Sequence, residues 1–215
     1  GLSNSTETAA VTINLNDLNE APIITSHSGS TTAFVNVAEN TTAVTTITST
    51  DEDVPADALT YTITGGADSG HFNIGSSTGV LTFITPPDFE VPTDSDPDGI
   101  YEVEITVDDG NGNTDIQTIV ATVTDGNETP TTTGIANLTV NEDSNDRNFY
   151  LPSVFFDVED ASSDLIFTVQ TNTNAGLFDS TTINVVDDRI YLDFADEQNG
   201  IADITVRATD SGGLF

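Results

Sequence analysis

The sequence predicts an all-β chain built as two tandem Greek-key sandwiches, immunoglobulin-like in type, in a linear array. Three observations carry this prediction. Thr, Asp, Val, Ile and Asn are abundant, while Lys, Met and Trp are absent, a usage that favours strands and tight turns. Apolar residues make up 36% of the chain, which suits thin sandwiches with small cores. Short alternating runs recur between turn signals, and no helical periodicity of any length interrupts them.

The strands are justified in order by that alternation. Residues 8–16, TAAVTINLN, read as a first strand. AFVNVAE (33–39), ALTYTIT (58–64), GVLTFI (79–84), YEVEITV (101–107) and QTIVATV (117–123) follow, each bounded by Gly, Pro, Asn or Asp. A second series comprises NLTVNE (137–142), LIFTVQ (165–170), RIYLDF (189–194) and ADITVRA (202–208). Phe72, Phe178, Tyr61 and Phe167 are expected in the cores. Gly110, Gly112, Gly212 and Gly213 are expected at positive φ in hairpins.

The two series are one unit repeated. DLNEAP starts at Asp17 and DGNETP at Asp125, 108 residues apart. Downstream of each, VAEN (37–40) matches VNED (140–143), and DED (51–53) matches DVE (157–159). LTYTI (59–63) matches LIFTV (165–169), and GHF (70–72) matches GLF (176–178). Gly99-Ile100 matches Gly200-Ile201, which places Asp109 on Asp210. The boundaries that follow are residues 1–19 as the last strand of a preceding repeat plus linker, 20–127 as domain 1, and 128–215 as domain 2 without its final strand. A sheet left open at the C-terminal unit invites strand exchange with a neighbour, for which residues 5–16 of another molecule are the candidate. The sequence starts mid-pattern, as a cut inside a longer protein would.

The formal net charge is −33, from 36 acids against Arg147, Arg189 and Arg207. Such a chain repels itself unless salt screens it or divalent cations neutralise clustered carboxylates. Nucleic acid and anionic membrane surfaces require a basic patch and are excluded as partners. With no cysteine, disulfides and thiolate zinc sites are excluded. His27 and His71 are too few for a histidine-rich metal centre. No apolar run approaches the length of a membrane-spanning helix, so no membrane insertion is expected.

The acids gather at strand ends and in the two hexapeptides. Carboxylates about 4–6 Å apart cannot all stay ionised cheaply. Calcium, which takes six to eight hard oxygen ligands, resolves the conflict. The motifs that supply those ligands resemble cadherin repeats, in the form found in giant bacterial surface adhesins. The second unit is similar to dystroglycan-type cadherin-like modules. In cadherins calcium sits between successive repeats, held by an early xEN, an LDxE, a linker DxNDNxP, a DxD and an AxDxG.

The resemblance therefore implies an inter-domain calcium site made of Glu39 (AEN), Asp88 and Glu90 (PDFE), Asp125, Asn127 and Glu128 (DGNETP), Asp157 and Glu159 (DVE), and Asp210 (ATDSG). Here Glu replaces Asp in the linker, Glu159 replaces the second Asp of DxD, and the linker is one residue short. Asp17, Asn19, Glu20, Asp51, Asp53 and Asp109 would form a partial N-terminal site, expected to bind calcium weakly or not at all. Glu142 is retained in the second unit, and DFADEQ (193–198) stands where LDxE is absent. DSDPDG adds Asp94, Asp96 and Asp98 at calcium-loop spacing, but Ile105 stands where the twelfth ligand of such a loop belongs. The bland reading of that loop is a solvated acidic turn.

No enzyme is expected. Paired carboxylates alone do not make a glycosidase, and aromatics are 7% with no Trp to line a sugar cleft. No GxSxG nucleophile elbow occurs. The expected function is a calcium-stiffened, extracellular adhesion module, secreted or surface-anchored, making homophilic or heterophilic protein contacts in cell aggregation or biofilm. A polysaccharide-binding module and a passive spacer are the alternatives.

Overall fold

The computed structural model describes residues 10–53, 57–142, 144–184 and 187–215. They form two compact units, one ending at Asp125 and the other starting at Gly126. Both are all-β, with only four single-turn 3₁₀ segments between strands.

Unit 1 contains β1 (Ile23–Ile24), β2 (Thr32–Ala38), β3 (Ala43–Thr46), β4 (Ser49–Thr50), β5 (Thr60–Gly65), β6 (Phe72–Ile74), β7 (Val80–Phe83), β8 (Ile100–Asp108) and β9 (Thr114–Thr124). One sheet has the order β2-β9-β8-β5, a second β3-β7-β6, and β1 pairs with β4. β2 runs parallel to β9, from Thr32 on Thr118 to Ala38 on Thr124. The other pairs are antiparallel.

β8 shows why the alternation works. Tyr101, Val103, Ile105 and Val107 are all at most 1% exposed, while Glu102 and Glu104 between them face out. Ile119, Ala121 and Val123 of β9 fill the same core, with Phe72, Leu81 and Phe83 from the opposite sheet. Gln117, fully buried in β9, is satisfied by the Ser26 hydroxyl and by the carbonyls of Ser26 and Ser30.

Unit 2 contains β10 (Thr131–Thr132), β11 (Arg147–Tyr150), β12 (Phe155–Phe156), β13 (Ile166–Asn172), β14 (Phe178–Asn184), β15 (Arg189–Phe194) and β16 (Ile204–Thr209). Its sheets are β10-β12, β11-β15-β14 and β13-β16. These correspond to β1-β4, β3-β7-β6 and β5-β8 of unit 1. Leu151, Phe155, Leu165, Phe167, Ile190, Leu192 and Ala208 form the core, and Phe178 is only half-buried beside it.

Two predicted strands do not form. NLTVNE has no strand at 137–142. Its counterpart β2 is held by β9 alone, and among the described residues unit 2 has no strand in the β9 position. Alternation without a ladder partner leaves backbone donors and acceptors in water. The same applies to TAAVTINLN: Thr8 and Ala9 lie outside the described residues, and 10–16 form no strand. Val11, Ile13 and Leu15 are exposed there, although their repeat counterparts Ile119, Ala121 and Val123 are core. Residues 1–9, which include the start of the 5–16 segment, also lie outside the described set. ADITVRA shortens at its start, with β16 beginning at Ile204.

Candidate metal site

In each unit the acids of the hexapeptide gather with those of DED (51–53) or DVE (157–159) and with the hairpin that starts at Asp109 or Asp210. In unit 1 carboxylate oxygens of Asp17, Glu20 and Asp53 all lie within 4.8 Å of one another, as do those of Asp51, Asp53 and Asp109. Asp53 and Asp109 are buried. Local hydrogen bonds hold the frame. The Glu20 amide donates to Asp53 Oδ1 (3.1 Å), and the Asp53 amide donates to Asp51 Oδ1 (2.9 Å). Asn19 Nδ2 donates to Asp109 Oδ2 (2.9 Å). Asp109 Oδ1 accepts the amides of Asn111, Gly112 and Asn113 at 2.7, 3.0 and 3.1 Å.

Unit 2 repeats four of these bonds. The Glu128 amide donates to Glu159 Oε2 (3.3 Å) and the Glu159 amide to Asp157 Oδ1 (3.1 Å). Asn127 Nδ2 donates to Asp210 Oδ2 (2.8 Å), and Asp210 Oδ1 accepts the Leu214 amide (2.8 Å).

Once these bonds are made, specific oxygens are left over. Asp51 Oδ2 and Asp53 Oδ2 are buried with no hydrogen-bond partner, and so is Asp157 Oδ2, the repeat counterpart of Asp51 Oδ2. A buried carboxylate oxygen without a donor is costly, and a hard cation is the partner that several converging carboxylates can share. The converging carboxylates fit calcium, and the set lacks the imidazole nitrogen or thiolate sulfur that zinc prefers.

The carboxyls of the frame shift in both directions, each for a local cause. The Glu20 carboxyl is raised above the ordinary glutamate value by its hydrogen bond to Asp53, then by burial and by the charges of Asp53, Asp17 and Glu52. Glu159 is lowered because the Glu128 side chain hydrogen-bonds it, which outweighs burial. For Asp109 burial pushes the carboxyl up, but the bonds from Asn111, Asn19, Asn113 and Gly112 outweigh it and hold the group low. Asp210 behaves alike: burial opposes, and Asn127, Leu214, Gly213 and Gly212 prevail.

The remaining predicted ligands are placed as follows. Glu39 is buried at the end of β2, and its Oε2 accepts the Phe89 amide (2.9 Å). Asp88 Oδ1 accepts the Val91 amide (2.9 Å), and Glu90 and Asp125 are exposed. In DSDPDG the carboxylates of Asp94, Asp96 and Asp98 also approach within 4.8 Å. Asp94, however, is buried with both oxygens engaged by amides, Oδ2 by Asp98 and Oδ1 by Gly99. Buried Asp68 accepts the amides of Ser95 and Glu102 and pins the same loop. This loop folds on its own amides.

Sequence reasoning missed two contributors. Gly212 was expected at positive φ, which Gly110, Gly112 and Gly213 adopt and Gly212 does not. Gly212 serves close approach instead: a Cβ there would lie 2.6 Å from Asn127 Oδ1. Asn113 is not among the candidates the sequence marks, yet its Nδ2 donates to the carbonyls of Glu20 (3.0 Å) and Asn19 (3.4 Å). Its place four residues after Asp109 was the available signal.

A family model of the cadherin domain matches residues 33–141. The chain belongs to the cadherin-domain family. Among solved structures, the human desmocollin-1 ectodomain is similar at a TM-score of 0.50 and 17% identity, over 93% of this chain and 40% of that one. Human protocadherin-24 EC1-2 gives 0.49 and 16%, over 92% and 90%, and Drosophila N-cadherin EC1-4 gives 0.48 and 16%, over 91% and 47%. This chain thus spans 40% of the length of the desmocollin-1 ectodomain. No curated protein matches the sequence. As in cadherin domains generally, the units are β-sandwiches, and among the described residues no helix is long and apolar enough to cross a membrane.

Proposed function

We propose that this cadherin-domain chain is a calcium-dependent adhesion module of a bacterial cell-surface or secreted adhesin. The observation that carries the reading is the pair of equivalent, buried, unpartnered oxygens, Asp51 Oδ2 and Asp157 Oδ2, each inside the same acidic frame. Calcium bound there would neutralise carboxylates that otherwise repel. In the cadherin pattern the ligands of one repeat are completed by its neighbour. On that pattern Glu39, Asp88, Glu90 and Asp125 would join Asn127, Glu128, Asp157, Glu159 and Asp210. Asp17, Asn19, Glu20, Asp51, Asp53 and Asp109 would await the same completion. The proposed mechanism is mechanical: the ion fixes adjacent modules and stiffens the array that presents a binding surface for homophilic or heterophilic protein contact.

Extracellular calcium sites of this kind bind at about 10⁻⁴–10⁻³ M, so each ion at roughly 10 mM calcium adds about 1.4–2.7 kcal/mol. Calcium titration followed by calorimetry and small-angle scattering tests the reading. Calcium is expected to raise the melting temperature and extend the particle, and a chelator to reverse both. Melting and scattering indifferent to calcium would end the proposal.

A further inference from the structure

Among the positions at which the two frames differ, one bears on how ready each is to receive an ion. Asn113 and Leu214 occupy equivalent places, four residues after Asp109 and Asp210. Their backbones do the same work. The Asn113 amide donates to Asp109 Oδ1 (3.1 Å), and the Asp109 amide returns to the Asn113 carbonyl (3.3 Å). The Leu214 amide donates to Asp210 Oδ1 (2.8 Å), and the Asp210 amide returns to the Leu214 carbonyl (3.1 Å). Only the side chains part ways. Asn113 Nδ2 reaches across to the carbonyls of Glu20 and Asn19. Leu214 has no donor, and its side chain is 40% exposed.

We propose that Asn113 is a positioning residue that clamps the Asn19-Glu20 linker against the β8–β9 hairpin and so presets the unit 1 frame for calcium. This rests on the calcium reading above. The argument is one of charge and order. Asp17, Glu20, Asp51, Asp53 and Asp109 push one another apart when no cation is present. A neutral amide donor holds the linker without adding to that charge or competing with calcium for a carboxylate oxygen. Glu20 then stays in place, with its amide on Asp53 Oδ1. A linker already in place spares the ordering cost of binding. Leu214 offers unit 2 no such side-chain bond, and the linker there is held by Asn127 on Asp210 and by Glu128 on Glu159.

The test is a reciprocal exchange in the whole 215-residue chain, with Asn113→Leu and Leu214→Asn followed residue by residue by NMR during calcium titration. Asn113→Leu is expected to speed hydrogen exchange at the Glu20 amide in calcium-free protein. It should also raise the calcium midpoint read at Glu20, Asp53 and Asp109 about tenfold, leaving unit 2 unchanged. Leu214→Asn is expected to slow exchange at the Glu128 amide and lower the midpoint at Asn127, Glu128 and Asp210 about tenfold. The second variant is a gain, which damage to the fold cannot mimic. Midpoints and exchange rates unmoved by either variant overturn the clamp. If no residue of either unit responds to calcium, the calcium reading fails, and the exchange rates alone still decide whether the clamp exists.

Discussion

The same aromatic pair appears in both units and is packed differently. In unit 1 Phe72 and Phe83 stack with ring centroids 4.6 Å apart, each 3% exposed. In unit 2 Phe178 and Phe194 sit 5.7 Å apart, tilted and half-buried. The difference traces to a third ring. Tyr101 stands edge-on to Phe83 at 5.0 Å and to Phe72 at 6.4 Å, and its hydroxyl accepts the Thr93 amide (3.1 Å). The repeat counterpart of Tyr101 is Ala202. Where the ring is missing, a groove of about 540 Å³ opens beside Phe178, Phe194, Ala202 and Leu138. A repeat can therefore keep its strand order and its acidic frame while its core is filled to different depths, because packing depends on side-chain volume and ladder pairing on the backbone.

The sharpest way to break this comparison is to remove the ring that closes unit 1. Tyr101→Ala is expected to destabilise that unit by about 3–5 kcal/mol in urea unfolding followed by circular dichroism. A loss below about 1 kcal/mol would show that Tyr101 is not what closes the core.

Next in size is the ion. Asp157→Asn should abolish the calcium-induced gain of about 1.4–2.7 kcal/mol, and Asp51→Asn the smaller gain of the partial unit 1 frame. In calcium-free protein the same changes should leave melting unchanged or higher, since they remove a repelling charge. Scanning calorimetry with and without chelator measures both, and calcium stabilisation surviving in both variants would count against a shared frame.

A smaller effect of opposite sign is expected on filling the groove. Ala202→Phe should stabilise unit 2 by about 0.5–2 kcal/mol, as cavity-filling substitutions commonly do. Destabilisation would mean that the groove is too shallow or too polar for a ring.

The smallest difference between units is expected in acid. Asp109 and Asp210 are both held below the usual aspartate value of 3.8 in the folded protein. A depressed carboxyl stabilises the fold above its unfolded value, and the contribution is lost as pH falls through the folded value. The two hairpins should therefore loosen together below about pH 4 in calcium-free protein. Hydrogen exchange at the Asn113 and Leu214 amides reads this directly. One hairpin loosening well before the other would separate the two aspartates.

Much of the fold was legible because alternation reports which face of a strand is buried. YEVEITV and RIYLDF fall on β8 and β15 almost residue for residue. The carboxylates of the frame were legible too, since their motifs recur at near-constant spacing in both units. Two-residue strands such as Ile23–Ile24 and Ser49–Thr50 were not, because they exist only through each other's hydrogen bonds. Asn113 and Gly212 were hidden for a related reason: their partners Glu20 and Asn127 lie 93 and 85 positions away in sequence.

The sequence by itself determined the all-β class, the repeat and the acidic chemistry, because each is a local pattern of residue types. Tertiary structure decided which alternating runs became strands: β2 did, paired with β9, while 137–142 did not. It also decided which carboxylate oxygens were left without a donor. Both outcomes depend on hydrogen-bond partners supplied from distant parts of the chain, and no local pattern encodes those.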